Sequence, residues 1–276
     1  MIRFLGAGGV GHTGRERVIP MQRARRLAST AVVAVLAVSG LSACRSEPGV
    51  AAYLGDGRTI TEERVAGIYN EALDDLTKAR KQLPQQEAAG ASAAAAAPVQ
   101  VPFKQKDVLN ALLTVEVLER AAAAKGVQPA NEPTVDQISQ AANIGPSWEY
   151  TKLYARTFQL RAALLPKAAP AELTDADLRP VYDRLRAGST GDATPYDQFK
   201  SQLSAANKQA LQQSLGLRNE LAKIVADDDV KLNPRFGGQQ LVLLSAQAGN
   251  AEVPLVELSF AGAAASEAPF VTDVSS

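Results

Sequence analysis

Residues 106–125 read KDVLNALLTVEVLERAAAAK, and their pattern decides the expected fold. The apolar residues of this stretch surround most of a helix with 3.6 residues per turn, instead of following one side. A helix that is apolar nearly all round lies in the centre of a domain. Gly126 follows as a C-cap and Pro129 as a stop signal. We therefore expect a mainly α-helical domain built around this segment.

Capping residues predict further helices on both sides of the central one. Thr134 with Gln137, and Thr174 with Asp177, have the spacing of capping boxes. Pro180 is expected to kink the helix behind Thr174. The expected N-caps are Thr61, Thr134, Ser147, Thr174 and Thr194.

The longest helix is expected to open at Pro195, because proline is favourable at a first helical position. Apolar residues from Tyr196 to Ile224 follow a near-heptad seam, which predicts one helix of about 30 residues with a weak point at Gly216. The acidic run at 227–229 lacks the alternating ligands and the turn glycine of a calcium loop. We interpret it as a solvated helix end.

Composition divides the chain into parts. Residues 1–43 are expected to be an upstream extension plus an export signal, and residues 44–49 a short polar tether. Residues 50–237 form the predicted helical domain, in which residues 84–102 are an Ala- and Pro-rich insert, either a loop or a frayed helix. Residues 238–276 are expected to be a mostly flexible tail, although a strand is predicted near its start.

The N-terminal region has the layout of an export signal. Arginines at 23, 25 and 26 precede an apolar run over 27–38, which is too short to span a bilayer. Met21 stands directly before these arginines and would start a signal peptide of conventional layout. Leu41-Ser42-Ala43-Cys44 follows and resembles the lipobox of bacterial lipoproteins at every position.

The lipobox resemblance implies that Cys44 is the first residue of the mature protein. It also implies that the Cys44 sulfur carries a diacylglyceryl group, so that two acyl chains anchor the protein on the extracytoplasmic face of the cell membrane. The alternative is an ordinary cleaved signal with an incidental cysteine. We favour lipidation, because Cys44 is the only cysteine and a lone thiol in an oxidising compartment otherwise needs a partner.

Removal of the region before Cys44 excludes most catalytic chemistry. His12, the only histidine, lies there, as does a glycine run at 6–11 that matches a dinucleotide-binding fingerprint by accident, since no βαβ unit follows it. Histidine bases, catalytic triads and Cys/His zinc sites are then unavailable. We expect no enzyme activity, no cofactor and no metal site.

The charge of the mature chain argues against nucleic acid as a partner. Six of the 29 Lys and Arg residues but only one of the 29 Asp and Glu residues precede Cys44. The remaining 23 basic and 28 acidic residues give a net charge of −5. A mildly acidic exported protein without a basic cluster is not expected to bind nucleic acid.

Four motifs follow one another in the predicted domain: Ile60-Thr61-Glu62-Glu63, the central helix, Leu173–Leu178 with Tyr182, and a closing Val230–Gly237. Their order resembles the N-terminal chaperone domain of the SurA and PrsA foldases, and the closing segment has the form seen in actinobacterial SurA-like lipoproteins. The resemblance covers about residues 50–237 without the insert. It implies that a small β-element pairs a strand at 50–54 with one at 230–232. A parvulin isomerase domain would need on the order of 100 residues before Thr194, and these are absent.

The resemblance implies a lipid-anchored holdase that binds unfolded or partly folded exported chains, without isomerase activity. The expected client-binding residues are Trp148, Tyr150, Tyr154 and Phe158, on the helix that carries many of the aromatic residues. Plain core packing is the competing interpretation for most of them, since large apolar side chains are usually buried. The alternative function is a structural or assembly lipoprotein that binds one envelope partner through the seam of residues 196–224 and the tail.

Overall fold

The computed structural model describes residues 48–82, 98–188, 194–248 and 251–260. The predicted export signal with Cys44 and the tether up to residue 47 lie outside the described residues. So do residues 84–97 of the insert and residues 261–276 of the tail. The predictions made for those parts of the chain stay predictions.

The expectation of a mainly α-helical protein is confirmed, because most of the described residues lie in helices. The strands of the described part are few and antiparallel. None of the helices in the described ranges is both long and apolar enough to span a membrane. In chain order the helices are α1 (Glu62–Gln82), α2 (Gln105–Lys125), α3 (Val135–Ala142), α4 (Glu149–Leu164), α5 (Asp175–Gly188), α6 (Tyr196–Gln202) and α7 (Ala205–Asp227).

Helix α2 is central, as its sequence predicts. It contacts α1, α4 and α7, and it also reaches the first strand of the C-terminal hairpin. Its side chains Leu109, Leu113 and Leu118 are fully buried. Gly126 ends the helix with a left-handed φ of 63°, a conformation that glycine adopts at little cost. The apolar residues on several sides of α2 are therefore covered by different neighbours.

A three-stranded antiparallel sheet joins the two ends of the helical region. Strand β1 (Val50–Tyr53) lies between β2 (Thr59–Thr61) and β3 (Lys231–Leu232). In the pairing with β3, Ala52 is opposite Leu232. The side-chain amide of Asn233 donates to the carbonyl oxygen of Val50 at 3.0 Å and extends this contact. The chain that follows α7 is thus fixed beside the strand that precedes α1.

The C-terminal region corrects the prediction of a mostly flexible tail. Strands β4 (Gln240–Ala248) and β5 (Ala251–Ser259) form an antiparallel hairpin that packs on α5 and α7. Leu241, Leu243 and Phe260 of this region are buried in the main core. The tail is rich in small residues, but its few large apolar side chains alternate along the strands and face the helices together. That alternation, not the average composition, decides the structure here.

The predicted long helix is interrupted, so the prediction of one continuous helix is wrong. Leu203, between α6 and α7, has an extended backbone with ψ of 115°. Ser204 then caps α7 by accepting the N–H of Asn207 at 3.1 Å. Gly216 lies inside α7, where an added Cβ would be 2.0 Å from the carbonyl oxygen of Ala169. Gly216 therefore permits a close approach of chain segments and is not the point where the helix breaks.

The predicted caps are correct at three positions. Thr61 and Thr134 accept the N–H groups of Arg64 and Gln137 at 3.1 and 3.3 Å. Thr174 accepts the N–H of Asp177 at 3.3 Å, and α5 continues through Pro180.

The predictions of Ser147 and Thr194 as caps are wrong. The N-cap positions are taken by Trp148 and Pro195, and neither has a side-chain capping bond. At α4 the carboxylate of Glu71 in α1 supplies the missing acceptor for the N–H of Glu149, at 3.0 Å. A cap that comes from another helix leaves no local sequence pattern.

The acidic run 227–229 is not simply a solvated helix end. Asp228 is buried and forms an ion pair with Arg120 of α2. Burial raises the pKa of the Asp228 carboxyl. The chain turns directly after Asp228, at Asp229, which has a left-handed φ of 45°.

Candidate binding pocket

A cavity of about 370 Å³ lies between α2, α4 and the C-terminal hairpin. Its volume is at the lower end of the range for sites that hold small molecules or a few side chains. Both helices and both strands of the hairpin contribute side chains to its wall. We call this cavity the hairpin pocket.

Helix α2 lines the hairpin pocket with its polar residues. Asp107, Asn110 and Thr114 lie at helical positions i, i+3 and i+7, so they share one side of the helix. The carboxylate of Asp107 accepts the N–H of Lys104 at 2.8 Å. The side-chain oxygen of Asn110 accepts the N–H of Gln240 at 3.1 Å, which ties the hairpin to α2.

Thr114 is the least satisfied polar group of the pocket wall. Its residue is 2% exposed, and its hydroxyl has no hydrogen-bond partner among the described residues. A buried hydroxyl without a partner costs roughly 1–3 kcal/mol. Thr114 therefore marks a place where a ligand group can supply a hydrogen bond that the chain does not.

Helix α4 lines the pocket with a row of aromatic rings. Tyr150, Tyr154 and Phe158 follow one another at intervals of four residues and therefore share one side of the helix. The rings of Tyr150 and Tyr154 are nearly parallel, with centroids 5.9 Å apart, and Phe158 meets Tyr154 edge to face at 5.0 Å. Phe103 stacks on Tyr150 at 3.8 Å and closes one end of the row.

Three of the four predicted client-binding residues thus line one cavity, and the fourth does not. Trp148 is buried, with its ring 6.1 Å from that of Phe103. An added Cβ at Gly145 would lie 2.5 Å from the Trp148 ring, which shows how closely the backbone covers it. Trp148 is a core residue, so core packing is the correct interpretation at this position.

Burial changes the acid–base behaviour of the two tyrosines. The pKa values of Tyr150 and Tyr154 are both raised, chiefly because burial disfavours the phenolate. Asp107 adds to the effect at Tyr150, and Glu252 adds to it at Tyr154. Both phenols therefore stay protonated near neutral pH and can act as hydrogen-bond donors.

Arg161 supplies the positive charge of the pocket. Its Nη1 donates to the carbonyl oxygen of Val242 in β4 at 2.9 Å, and its guanidinium lies 4.7 Å from the centroid of Phe158. Burial lowers the pKa of Arg161, although Tyr154 and Glu252 act in the opposite direction. Within the described residues Arg161 forms no ion pair with a carboxylate.

The hairpin closes the remaining side. Gln240 and Val242 of β4 and Pro254 of β5 reach the pocket wall. Ser245 donates its hydroxyl to the exposed carboxylate of Glu252, so this acid already has a partner at the rim. The pocket can therefore stack flat or apolar groups and offer hydrogen-bond donors beside one cation.

Sequence reasoning missed Asp107, Asn110, Thr114 and Arg161 as pocket residues. The first three are polar positions at helical spacing in a helix that is otherwise apolar, and this spacing is visible in the sequence. Arg161 follows Phe158 by three residues and so continues the aromatic row. The contribution of the hairpin could not be found in the same way, since it depends on how the tail folds back.

A smaller cavity of about 210 Å³ lies among α5, α6, α7 and the hairpin. Phe199, Leu203 and Ala210 of the predicted seam line it, together with Val181 and Leu255. Leu217, also of the seam, is fully buried within the chain. The chain therefore covers the seam only in part, since Phe199, Leu203 and Ala210 are half-buried and Ala206 is exposed.

Comparison with known proteins assigns neither a family nor a ligand to this geometry. The function of the hairpin pocket therefore has to be argued from the side chains that line it. No family model matches the chain, and no curated protein and no solved structure is significantly similar to it.

Proposed function

We propose that the protein is a lipid-anchored, extracytoplasmic, chaperone-like holdase that binds apolar segments of unfolded or partly folded exported chains in the hairpin pocket. The observation that carries the proposal is the row formed by Tyr150, Tyr154 and Phe158, whose half-buried rings pack against the core on one side and line one cavity on the other. Aromatic rings in such a row offer contact area for many different apolar side chains. A holdase needs such a surface because it binds segments of different sequence.

The size and the lining of the hairpin pocket restrict the kind of client segment that it can bind. A volume of about 370 Å³ accommodates only a few side chains, so a client is held by a short segment and not by a broad apolar surface. Polar residues of α2 surround the aromatic row and limit how much apolar surface is exposed to water. Binding is therefore weak for each segment, and we propose no covalent step.

The sheet supports the likeness to the SurA and PrsA chaperone module. In those foldases the N- and C-terminal segments of the module meet, and here β1 pairs with β3 in antiparallel register. The membrane anchor rests on the lipobox with Cys44. Anchored there, the pocket would meet chains as they emerge on the extracytoplasmic side.

Suppression of aggregation tests the proposal. The purified protein should slow the aggregation of several unrelated unfolded proteins, and Phe158→Ala combined with Tyr154→Ala should remove most of this effect. Tyr196→Ala is the matched control, because Tyr196 is a half-buried aromatic residue of α6 that does not line the hairpin pocket. Equal loss in the control, or no suppression by the parent protein, would contradict the proposal.

The second candidate function is a structural lipoprotein that binds one envelope partner. The smaller cavity supports it, because Phe199 and Leu203 of the seam keep partly exposed surface there. This candidate requires capture of one reproducible partner in membrane extracts that Phe199→Ala abolishes and Phe158→Ala does not. Protection of several unrelated clients favours the holdase.

A further inference from the structure

We propose that the hairpin pocket recognises a carboxylate carried by an apolar ligand, and that Arg161 is the residue that receives it. The inference rests on the proposed function, since it names the chemical group that the same pocket selects. It assigns to Arg161 and Thr114 a role in recognition, beside the apolar contact made by the aromatic row.

The first argument is the state of Arg161. A guanidinium has five N–H donors, and the only hydrogen bond of the Arg161 side chain within the described residues is the one to Val242. Glu252 attracts this partly desolvated cation but forms no hydrogen bond with it, so an incoming anion that bonds to the guanidinium lowers the remaining cost of burial. The guanidinium carbon lies over the ring of Phe158, and the donors that Val242 does not use remain for a ligand. A carboxylate fits such an edge with two parallel hydrogen bonds.

The second argument is independent and comes from α2. The Thr114 hydroxyl is buried at the pocket wall and has no hydrogen-bond partner within the described residues. A buried polar group without a partner needs an explanation in a native protein, and a bound ligand provides one. The side-chain nitrogen of Asn110 also makes no hydrogen bond within the described residues, so it is available as a further donor. Arg161, Thr114 and Asn110 line the same cavity from two helices.

The acidic side chains of the pocket restrict the ligand further. Asp107 and Glu252 also line the wall, so together with Arg161 the pocket carries a net charge of −1. Both acids already accept hydrogen bonds, from the N–H of Lys104 and the hydroxyl of Ser245. Their negative charges oppose any anion, and this opposition grows with the charge of the anion. Among anions the site therefore accepts a single carboxylate at Arg161 more readily than phosphate or a polyanion.

A carboxylate of this kind can come from the C-terminus of a client chain or from a Glu side chain next to an apolar residue. The test uses the full chain purified in detergent and three fluorescent nonapeptides with phenylalanine at the last position. The first has a free C-terminal carboxylate and the second a C-terminal amide. The third has the amide and a Glu beside the phenylalanine.

The parent protein should bind the free-carboxylate peptide about tenfold more tightly than the amide. Arg161→Gln should remove this difference, and Arg161→Lys should keep part of it. Thr114→Val should reduce it several-fold. Arg156→Gln is the matched control, because Arg156 is an Arg of α4 that pairs with Glu119 away from the pocket. It should leave the ratio unchanged.

Each result has a separate meaning. Equal affinity of the parent for the acid and the amide would overturn the carboxylate proposal and leave the proposed holdase function standing. No binding of any of the three peptides would overturn the proposed function itself. Tight binding of the Glu peptide supports recognition of a side-chain carboxylate, and weak binding of it supports the chain terminus. An unchanged ratio in Arg161→Gln, with a melting curve like that of the parent, would remove Arg161 as the receiving group.

Discussion

Arg120 of α2 forms an ion pair with Asp228 at the C-terminal end of α7, across 108 residues of sequence. The Asp228 side chain is only 10% exposed, whereas that of Arg120 is 27% exposed. Arg120 also lies 3.6 Å from Glu116 and 3.5 Å from Asp56. The pair therefore links the central helix to the segment that leads into β3. Asp228 is the more buried member, and Arg120 has other carboxylates nearby, so loss of the pair should destabilise Asp228 more than Arg120.

Replacement of Arg120 should therefore destabilise the protein more than replacement of Asp228. Arg120→Met leaves the buried Asp228 without an ion-pair partner, with only the Coulomb attraction of Arg58, and should lower the free energy of unfolding by about 3 kcal/mol. Asp228→Asn leaves Arg120 with its other carboxylates and should cost about 1 kcal/mol. Urea denaturation measures both, and the double variant should lie closer to the parent than Arg120→Met does. Equal losses from the two single changes would mean that the burial of Asp228 is not the dominant factor.

Gly216 is expected to tolerate no side chain. Gly216→Ala favours the helix by up to about 1 kcal/mol, but its Cβ would be 2.0 Å from the carbonyl oxygen of Ala169. We expect a net loss of about 2 kcal/mol, because the chain must move apart. Gly67→Ala in α1 is the control, since an added Cβ there meets nothing within 4 Å. It should stabilise the protein, and thermal denaturation of both variants distinguishes the cases.

The C-terminal hairpin should contribute to global stability. Phe260 is fully buried, and its N–H donates to the carbonyl oxygen of Gln239 at 3.1 Å. Phe260→Ala should therefore cost about 3–5 kcal/mol in urea denaturation. Val253→Ala, at a half-buried position of the same strand region, should cost far less. A loss below about 1 kcal/mol for Phe260→Ala would mean that the tail is dispensable, as its composition suggests.

Asp177 should make stability depend on pH in the acid range. The hydroxyl of Thr174 donates to its carboxylate at 2.6 Å, and Arg218 of α7 lies 3.3 Å away. These contacts lower the pKa of Asp177, with the Thr174 bond as the main cause. A lowered pKa in the folded state gives stability that is present above the unfolded pKa of about 3.9 and is lost as the pH falls through the folded value.

The measurement is the denaturation midpoint between about pH 2 and pH 5, where carboxyl groups of this kind titrate. Asp177→Asn should flatten this dependence and lower stability at neutral pH by about 1 kcal/mol. Asp183→Asn removes a carboxylate from an exposed site of α5 and serves as the control. If the loss of stability at acid pH is unchanged in Asp177→Asn, titration of Asp177 does not contribute to it.

The lipobox predicts the behaviour of Cys44→Ala. Without the thiol there is no site for the diacylglyceryl group, so the variant should leave the membrane fraction or accumulate with its signal peptide attached. Fractionation followed by mass measurement of the mature N-terminus distinguishes these outcomes. Ser42→Ala keeps a small residue in the lipobox and should leave anchoring unchanged. Full membrane retention of a mature Cys44→Ala protein would mean that the anchor lies elsewhere.

Local patterns in the sequence predicted the elements that depend on neighbouring residues. The caps at Thr61, Thr134 and Thr174 are correct because a capping bond joins residues three positions apart. The extent of α2 is nearly as predicted, since its ends are determined by local signals such as Gly126. The aromatic row of α4 was visible for the same reason, because its members repeat every fourth residue.

Other features depend on residues that are distant in sequence. Glu71 of α1 supplies the capping acceptor of α4. The carbonyl oxygen of Ala169 leaves no room for a side chain at Gly216, and Arg120 of α2 pairs with the buried Asp228. Composition alone described the tail as flexible, whereas the buried positions of β4 and β5 attach it to the helices.

The sequence by itself determined the helical class of the domain and several helix boundaries, because periodicity and caps act over a few residues. The export signal with its lipobox is also a short local motif, and it stays a prediction. Tertiary structure alone decided that Trp148 belongs to the core while Tyr150, Tyr154 and Phe158 line a pocket. It also decided that the C-terminal hairpin closes this pocket and that Arg161, which forms no ion pair within the described residues, lies in its wall. The physical reason is that burial and charge pairing depend on which segments pack together, and no local pattern encodes that choice.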